Sequence, residues 1–513
     1  MTKTSESQLD NRRIMKNSMM LYLRTLLTMA IGLYNSRVVL QVLGFDDFGI
    51  YSVVGSVVVM FGFFTSSISS SISRFISFEL AGGDSGRLKA TFNAGMVIVL
   101  CLAAIIIVLA ETLGLWLFSR LNLPEGSRTA AMWVYQLSVV TAIINLLQTS
   151  YISTIIAHER MGAFALIDIV NSSLKLGAVF LLELVMFNKL ELYSFLIMCV
   201  MVLVTTGTAI YCRRNFAECR IDLRPDPAVI KPMLGFSGWS LFKTGCDTLR
   251  PTGVNVIINL FFGVALNAAV GVAMNVSSNT AKFIANVFVA FKPQIIKAYS
   301  LREFGNMQSL LANALRMSLA MQLLLSVPLI IEMPYVLEIW LGEYPAYAVV
   351  FCRLLLVSMF FEVIIAIVEF GINATGHIRL FSIVNGLLTV STVAVGWIAF
   401  RLGAAPEAVY IAQICASAAC VVGAMLIQKA LVPELSMSRL VWIYVRVAVV
   451  TLASYALGMA VESAMGASGL TRFIAVCGAT TALGAAGIWT LILTPAAKQA
   501  LRKKIRRQSF VRK

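Results

Sequence analysis

The sequence predicts an all-α polytopic membrane protein of about fourteen transmembrane helices, built as two six-helix bundles plus two extra helices. Three observations predict it. Of 513 residues, 59% are hydrophobic and only 13% charged, with a mean hydropathy of +0.85, whereas a soluble domain carries roughly 25% charged residues. Apolar stretches of about 20 residues recur along the chain, each long enough to cross a hydrocarbon core of about 30 Å. Basic residues are dense in every second connection and sparse in the others.

Taken in order, residues 1–17 are polar and lack the apolar stretch of a cleavable signal, so they read as a cytoplasmic segment. Spans are expected at roughly 18–42, 48–72, 92–118, 130–156, 163–187, 191–212, 236–261, 267–291, 309–331, 347–372, 379–400, 407–428, 439–461 and 472–494. VIVLCLAAIIIVLA at 97–110 is the clearest, while 48–72 and 267–291 are rich in Ser and Asn and fall below a strict hydropathy cut. The first six spans form an N-lobe over 18–212, and RRNFAECRIDLRPDPAVIKP at 213–232 lies in a linker at 213–235. A C-lobe follows over 236–430, then the last two spans over 431–494 and a basic cytoplasmic tail over 495–513.

The net charge is +16, and its placement sets the orientation. With both termini cytoplasmic, the cytoplasmic segments hold 27 of the 41 Lys and Arg residues and the external loops only five: Arg120, Arg128, Lys189, Arg401 and Arg472. That asymmetry follows the positive-inside rule. The tail KKIRRQSFVRK reads as a headgroup-binding segment rather than a nucleic-acid arm. The nine cysteines form no C-x-x-C pair and the two histidines, His158 and His377, lie in short loops, so no metal site and no disulfide framework is expected.

The halves resemble each other. LGFDDFGIY (43–51) opens the second span and FFGVALNAAVGVA (261–273) the eighth, each followed by a Ser/Asn-rich span, a basic segment and then an Asn. The offset is an even number of spans, so the bundles are expected to be parallel repeats about an axis along the membrane normal.

Ionisable groups inside spans are candidate functional residues, because burying them in lipid costs several kcal/mol unless they face protein or water. Lys243, Asp247 and Arg250 stand at i, i+4 and i+7 of the seventh span, on one helix face, with Pro251 next. They line a wet cavity on one reading and tie the helix to a neighbour on the other. Asn275, Ser278, Asn279, Lys282 and Asn286 form a polar stripe on the eighth, open to either a cavity or an interhelical role. In the fifth span, Asp168 and Lys175 read as a self-neutralising pair. Arg24 and Arg37 lie near the ends of the first span and could snorkel, but Arg24 shares a face with Thr28 and Asn35 and is the better cavity candidate; Arg316, Arg353 and Arg446 also lie near span ends and are expected to snorkel. Glu362 and Glu369 stand at i and i+7 of the tenth span, able either to carry H⁺ or Na⁺ or to pair with a base. Arg24, Lys243, Arg250, Lys282, Asn275 and Asn279 are the candidate substrate-binding residues, and Asp247 and Glu369 the candidate ion-coupling ones. No catalytic or metal-binding residue and no cofactor is expected beyond H⁺ or Na⁺ coupling. The deep positions at Arg250 and Lys282 lean positive, which suits an anionic solute such as a phosphate.

GWSLFKTGCDTLRPTGVNVIINLFFGVALNAAVGVAMNVSSNTAKFIANVFVAFKPQIIKAYS (238–300) resembles the polysaccharide-export and O-antigen flippases of the MOP superfamily. The resemblance rests on an N-x-x-x-N-x-x-F-G turn, then N-A-A-x-G-x-A, then P-Q-I-x-K-x-Y, with LGFDDFGIYS (43–52) matching the first external turn. Asn255, Asn259, Gly263, Asn267, Gly271, Pro293, Gln294, Lys297 and Tyr299 fall on that motif, while Lys243 and Pro251 depart from the usual pattern. The glycines are expected at close helix contacts, and Pro293 at the end of the eighth span.

The resemblance implies a V-shaped pair of bundles in a bacterial inner membrane that flips an undecaprenyl-pyrophosphate-linked oligosaccharide for O-antigen, capsule or another surface glycan. Its implied partners are that glycan, membrane lipids, and a polysaccharide polymerase with its chain-length machinery, with no nucleic acid. A cation-coupled multidrug exporter on the same fold is the alternative, against which the deep basic residues speak. A membrane glycosyltransferase or polymerase needs large external loops. The longest here, EMPYVLEIWLGEYPAYA at 332–348, is too short, and Asp46–Asp47 has no partner motif for catalysis.

Overall fold

The computed structural model describes residues 62–119, 128–183, 188–222, 226–262, 264–466 and 469–492, with parts of 17–43 and Lys498. Among these the chain is helical throughout, with no strand. In order the helices are α1 (Met19–Gly32), α2 (Gly62–Gly82), α3 (Ser85–Leu109), α4 (Leu115–Ser119), α5 (Arg128–Ala157), α6 (Met161–Glu183), α7 (Lys189–Asn215), α8 (Pro227–Phe262), α9 (Val264–Ser300), α10 (Phe304–Ile331), α11 (Met333–Leu341), α12 (Ala348–Thr375), α13 (Arg379–Arg401), α14 (Ala408–Leu431), α15 (Met437–Met465) and α16 (Leu470–Gly487). Ten segments are long and apolar enough to cross a membrane. Of the four other expected spans, 236–261 and 267–291 fall in α8 and α9, which do not meet that criterion, the latter being rich in Ser and Asn, while 18–42 and 48–72 lie partly outside the described residues. α8 begins at Pro227, inside the stretch 213–235 that the sequence suggests as a linker.

By contacts the chain forms two compact units, which do not follow chain order strictly. Unit 1 holds residues up to Gly245 with Lys292–Arg302 and Gly376–Ser382, and unit 2 holds the rest, so α8 and α9 each contribute to both.

In unit 1, α5 packs along α7 and α2 lies on α5. Ile72, Ile76, Phe92, Leu146 and Ile155 form its fully buried centre. Asp84 starts α3 by accepting bonds from the backbone N–H groups of Gly86 and Arg87 at 2.9 and 3.1 Å, which satisfies two of the orphan donors of a helix start. The helix then loosens into a π-turn at Ala110–Gly114. Tyr135 holds that turn by donating its hydroxyl to the Ala110 carbonyl at 2.7 Å. A Cβ at Gly114 would strike that hydroxyl, so the bond needs glycine there.

In unit 2, α12 packs between α10 and α14, and α15 and α16 pack together against α10. The close approaches are made by small residues, as lipid-embedded helices require: a Cβ on Gly253 would come within 2.8 Å of Val393, and one on Gly396 within 2.7 Å of Val409. Gly271, expected at a close contact, has nothing within 4 Å of its Cβ position among the described residues. Pro293 lies inside α9, which continues to Ser300. Large apolar side chains such as Leu260, Leu426 and Leu452 point outward, more than 65% exposed, as expected where the solvent is lipid.

Candidate functional site

α8 is one unbroken helix, so Lys243, Asp247 and Arg250 do share a side of it. Arg250 is not left as an unpaired charge. Its Nη2 donates to Glu362 Oε1 at 2.9 Å, from the middle of α12. The pair is accessible, with side chains 21% and 36% exposed. Gln413 of α14 supports the carboxylate, since its Nε2 donates to Ser358 Oγ at 3.2 Å and lies 3.5 Å from the same Glu362 oxygen. Gln413 and Ser358 are both buried, which fixes Glu362 from behind. The guanidinium has five donors in a planar fork. Nη2 alone is engaged among the described residues.

Asn275, Asn279 and Lys282 of the polar stripe on α9 bond along their own helix, while Asn286 is buried and takes part in a further interaction. Asn275 donates to the Gly271 carbonyl at 3.0 Å, Asn279 to the Asn275 carbonyl at 2.9 Å, and Lys282 Nζ to Asn279 Oδ1 at 3.0 Å. Asn275 and Lys282 are exposed on the helix surface. Asp247 and Glu369 both take part in further interactions, so neither is a free carboxylate.

Unit 1 holds a second arginine-centred cluster. Arg24 Nη1 lies 3.5 Å from Asp168 Oδ2, its Nη2 donates to Thr25 Oγ1 at 3.4 Å, and its guanidinium covers the Phe164 ring at 4.7 Å. Asp168 thus faces Arg24 on α1 and also interacts electrostatically with Lys175 of its own helix. Lys243 lies over the Phe381 ring at 6.0 Å, and Arg379 over Trp239 at 5.2 Å.

No protein-family model matches the chain, and no curated protein matches it by sequence. Solved structures do match. A MATE transporter in a bent conformation superposes with a TM-score of 0.71 at 14% identity, covering 84% of this chain and 97% of that one. An outward-facing multidrug resistance MATE transporter of the MOP superfamily gives 0.69 at 13%, over 83% and 97%. A MOP superfamily transporter from Pyrococcus furiosus, described as having a binding pocket of reverse polarity that suggests a different function, gives 0.70 at 13%, over 82% and 95%. The chain has the MATE fold. It is a multi-pass membrane protein of that architecture.

On this MATE fold, several charged contacts are not legible from the sequence. Arg353 does not snorkel; its Nε and Nη2 donate to the Ile330 and Ile331 carbonyls at 2.7 and 3.1 Å, capping α10. Arg472, expected in an external loop, grips Glu332 through two bonds. His158 Nε2 lies 2.5 Å from Glu218, with its ring stacked on Phe216 at 4.1 Å. Burial pushes the Glu218 carboxyl up, but the bond to His158, a backbone hydrogen bond and the His158 charge together bring it below its ordinary value. Gln413, the support of Glu362, has one sequence signal, as an amide inside the apolar run AVYIAQICASAACVVGAM. The first-turn motif at 44–52, Gly263, the side chain of Asn267 and nearly all of the tail at 495–513 lie outside the described residues.

Proposed function

We propose that the chain is a flippase that moves an undecaprenyl-pyrophosphate-linked oligosaccharide across a bacterial inner membrane, with both termini cytoplasmic. One observation supports the reading: each unit holds an arginine of an expected span in a partly exposed cluster, Arg250 at 21% exposure in unit 2 and Arg24, nearer the end of its span, at 16% in unit 1. A guanidinium fork matches phosphate oxygens bidentately and remains charged at every physiological pH. Lys282 adds a third exposed cation. The Pyrococcus relative in fold supports the idea that this architecture carries pockets of either polarity. The head would bind at the arginines while the lipid tail stays in the bilayer, and Asp247 or Glu369 would couple the step to H⁺ or Na⁺.

A second reading, a cation-coupled multidrug exporter, is favoured by the description of one structural neighbour as a multidrug transporter and by the intramembrane carboxylates. Deleting the gene separates the two. The flippase predicts loss of a surface glycan and accumulation of complete undecaprenyl-linked repeat units inside the cell. The exporter predicts unchanged glycan and retention of cationic dyes.

A further inference from the structure

In unit 2, α10 and α15 carry three arginines, Arg316, Arg439 and Arg446, in the halves nearer their starts. We infer that these form a binding site for the phosphate of an anionic glycerophospholipid, taken from the surrounding bilayer.

Two contacts fix the register of the helix pair. At the start, the Ser436 N–H donates to Gln308 Oε1 at 2.7 Å, and Gln308 Nε2 donates back to the Ser436 carbonyl at 3.4 Å. At the far end, a Cβ on Gly458 would strike Ile331. Ile331 is 23 residues beyond Gln308 and Gly458 is 22 beyond Ser436, so the helices run parallel and in step. Arg316, eight residues beyond Gln308, is therefore level with Tyr444, between Arg439 and Arg446. Those two stand at i and i+7 of α15, on one face of it.

The charges that act on Arg316 are accordingly those of Arg439 and Arg446, and no carboxylate is among them. Glu434, the acid nearest to them in the chain, stands in the turn before α15 and forms no ion pair among the described residues. Arg439 and Arg446 are exposed and make no ion pair or hydrogen bond among the described residues. Three like charges repel one another, and an anion held between them replaces that repulsion with attraction.

The surroundings point to lipid as its source. The face of α15 that carries Arg439 and Arg446 also carries Trp442, 63% exposed, and Val449, 55% exposed. Tryptophan favours the membrane–water interface. An arginine amid such apolar surface meets its counter-charge in the lipid itself. Depth agrees: α15 has 29 residues, about 44 Å at 1.5 Å per residue, against about 40–45 Å for a bilayer with its headgroups. Arg439, in the first turn, stands at headgroup level. Arg446 lies two turns deeper, and a long basic side chain there reaches back toward the surface. Arg316 leans the same way, since its Nη1 donates to Asn313 Oδ1 at 2.9 Å, one turn nearer the start of α10. Phosphatidylglycerol brings a phosphate and no positive charge, whereas phosphatidylethanolamine brings an ammonium into the field of three cations.

Full-length protein in nanodiscs of equal phosphatidylglycerol and phosphatidylethanolamine, with retained lipid counted by native mass spectrometry, tests the site. Phosphatidylglycerol should be retained in preference. Arg439→Gln and Arg446→Gln should each weaken that preference about fivefold, the equivalent of ~1 kcal/mol per basic residue at a membrane surface. Both residues are exposed, so these variants keep the fold even where Arg316→Gln does not. Arg401→Gln removes the same charge from the end of α13 and should leave the preference unchanged. Free glycerol phosphate should not displace the lipid, because it has no acyl chains to lie along Trp442 and Val449. Equal retention of the two lipids by the unaltered protein overturns the inference. So does a preference undiminished in the double variant Arg439→Gln/Arg446→Gln, an equal loss in Arg401→Gln, or displacement by glycerol phosphate.

Discussion

Arg472 on α16 and Glu332 at the start of α11 form a bidentate ion pair, with Nε to Oε1 at 2.9 Å and Nη2 to Oε2 at 3.0 Å, and Glu332 is fully buried. The last two helices are thereby pinned to the helix end they pack on. Removing Arg472 leaves a buried carboxylate without its base, and breaking such a pair costs about 3 kcal/mol. Arg472→Ala should lower the unfolding temperature in detergent by several degrees, and Arg472→Lys, which cannot supply two parallel bonds, by a smaller amount. An unchanged temperature for the alanine variant would show the pair to be ornamental.

Two glycines on neighbouring helices should respond in opposite directions. A Cβ at Gly253 meets both methyls of Val393, at 2.8 and 3.1 Å, and valine is stiff about χ1. Gly253→Ala should destabilise by about 1–3 kcal/mol through overpacking. Gly271 has open space around it, so Gly271→Ala should be neutral or stabilising by up to ~1 kcal/mol. Thermal unfolding of the two variants checks the contrast, and equal losses would contradict it.

The contact between His158 and Glu218 makes stability depend on pH. The Glu218 carboxyl titrates below its ordinary value in the folded protein. Its stabilisation is therefore complete above the unfolded carboxylate value of about 4.3 and disappears as pH falls through the lower folded value. The unaltered protein should lose stability across that acid window more steeply than Glu218→Gln does. Parallel unfolding curves from pH 7 to pH 3 would refute the assignment.

Much of the fold is legible in the sequence because lipid is a demanding solvent. A helix in hydrocarbon must be apolar outside and about 20 residues long, so α3, α7 and α12 announce themselves by composition. Even α9, too polar by hydropathy alone, appears as a stripe at helical spacing. The site is legible only in half. Arg250 and Glu362 each stand out as costly charges, but spacing along one helix says nothing about a partner 112 residues away. The Asp168–Lys175 reading is incomplete for the same reason: local spacing offers Lys175, with which Asp168 does interact, but not the second base, Arg24 on α1. Arg353 and Arg472 lie near helix ends, where snorkelling and capping have the same sequence signature.

Arg24 gives a prediction of its own. Asp168 is 40% exposed and the contact is 3.5 Å, so the ion pair contributes little stability. Arg24→Gln should therefore leave unfolding within about 1 kcal/mol of the unaltered protein, while transport falls by tenfold or more if the cluster touches the anion. Surface-glycan levels in a complemented deletion strain, measured beside membrane abundance, read both effects.

The central claim is that Arg250 holds the anionic head and does more than neutralise Glu362. Arg250→Ala alone leaves Glu362 without its base and should lower both stability and transport. In the double variant Arg250→Ala/Glu362→Ala the lone carboxylate is gone and stability should return. The decisive measurement is accumulation of undecaprenyl-linked repeat units in a deletion strain carrying that double variant, at membrane levels matched to the unaltered protein. The account predicts that repeat units still accumulate and surface glycan stays absent. Restored glycan in the double variant would show that Arg250 serves only as a structural partner, and would contradict the account.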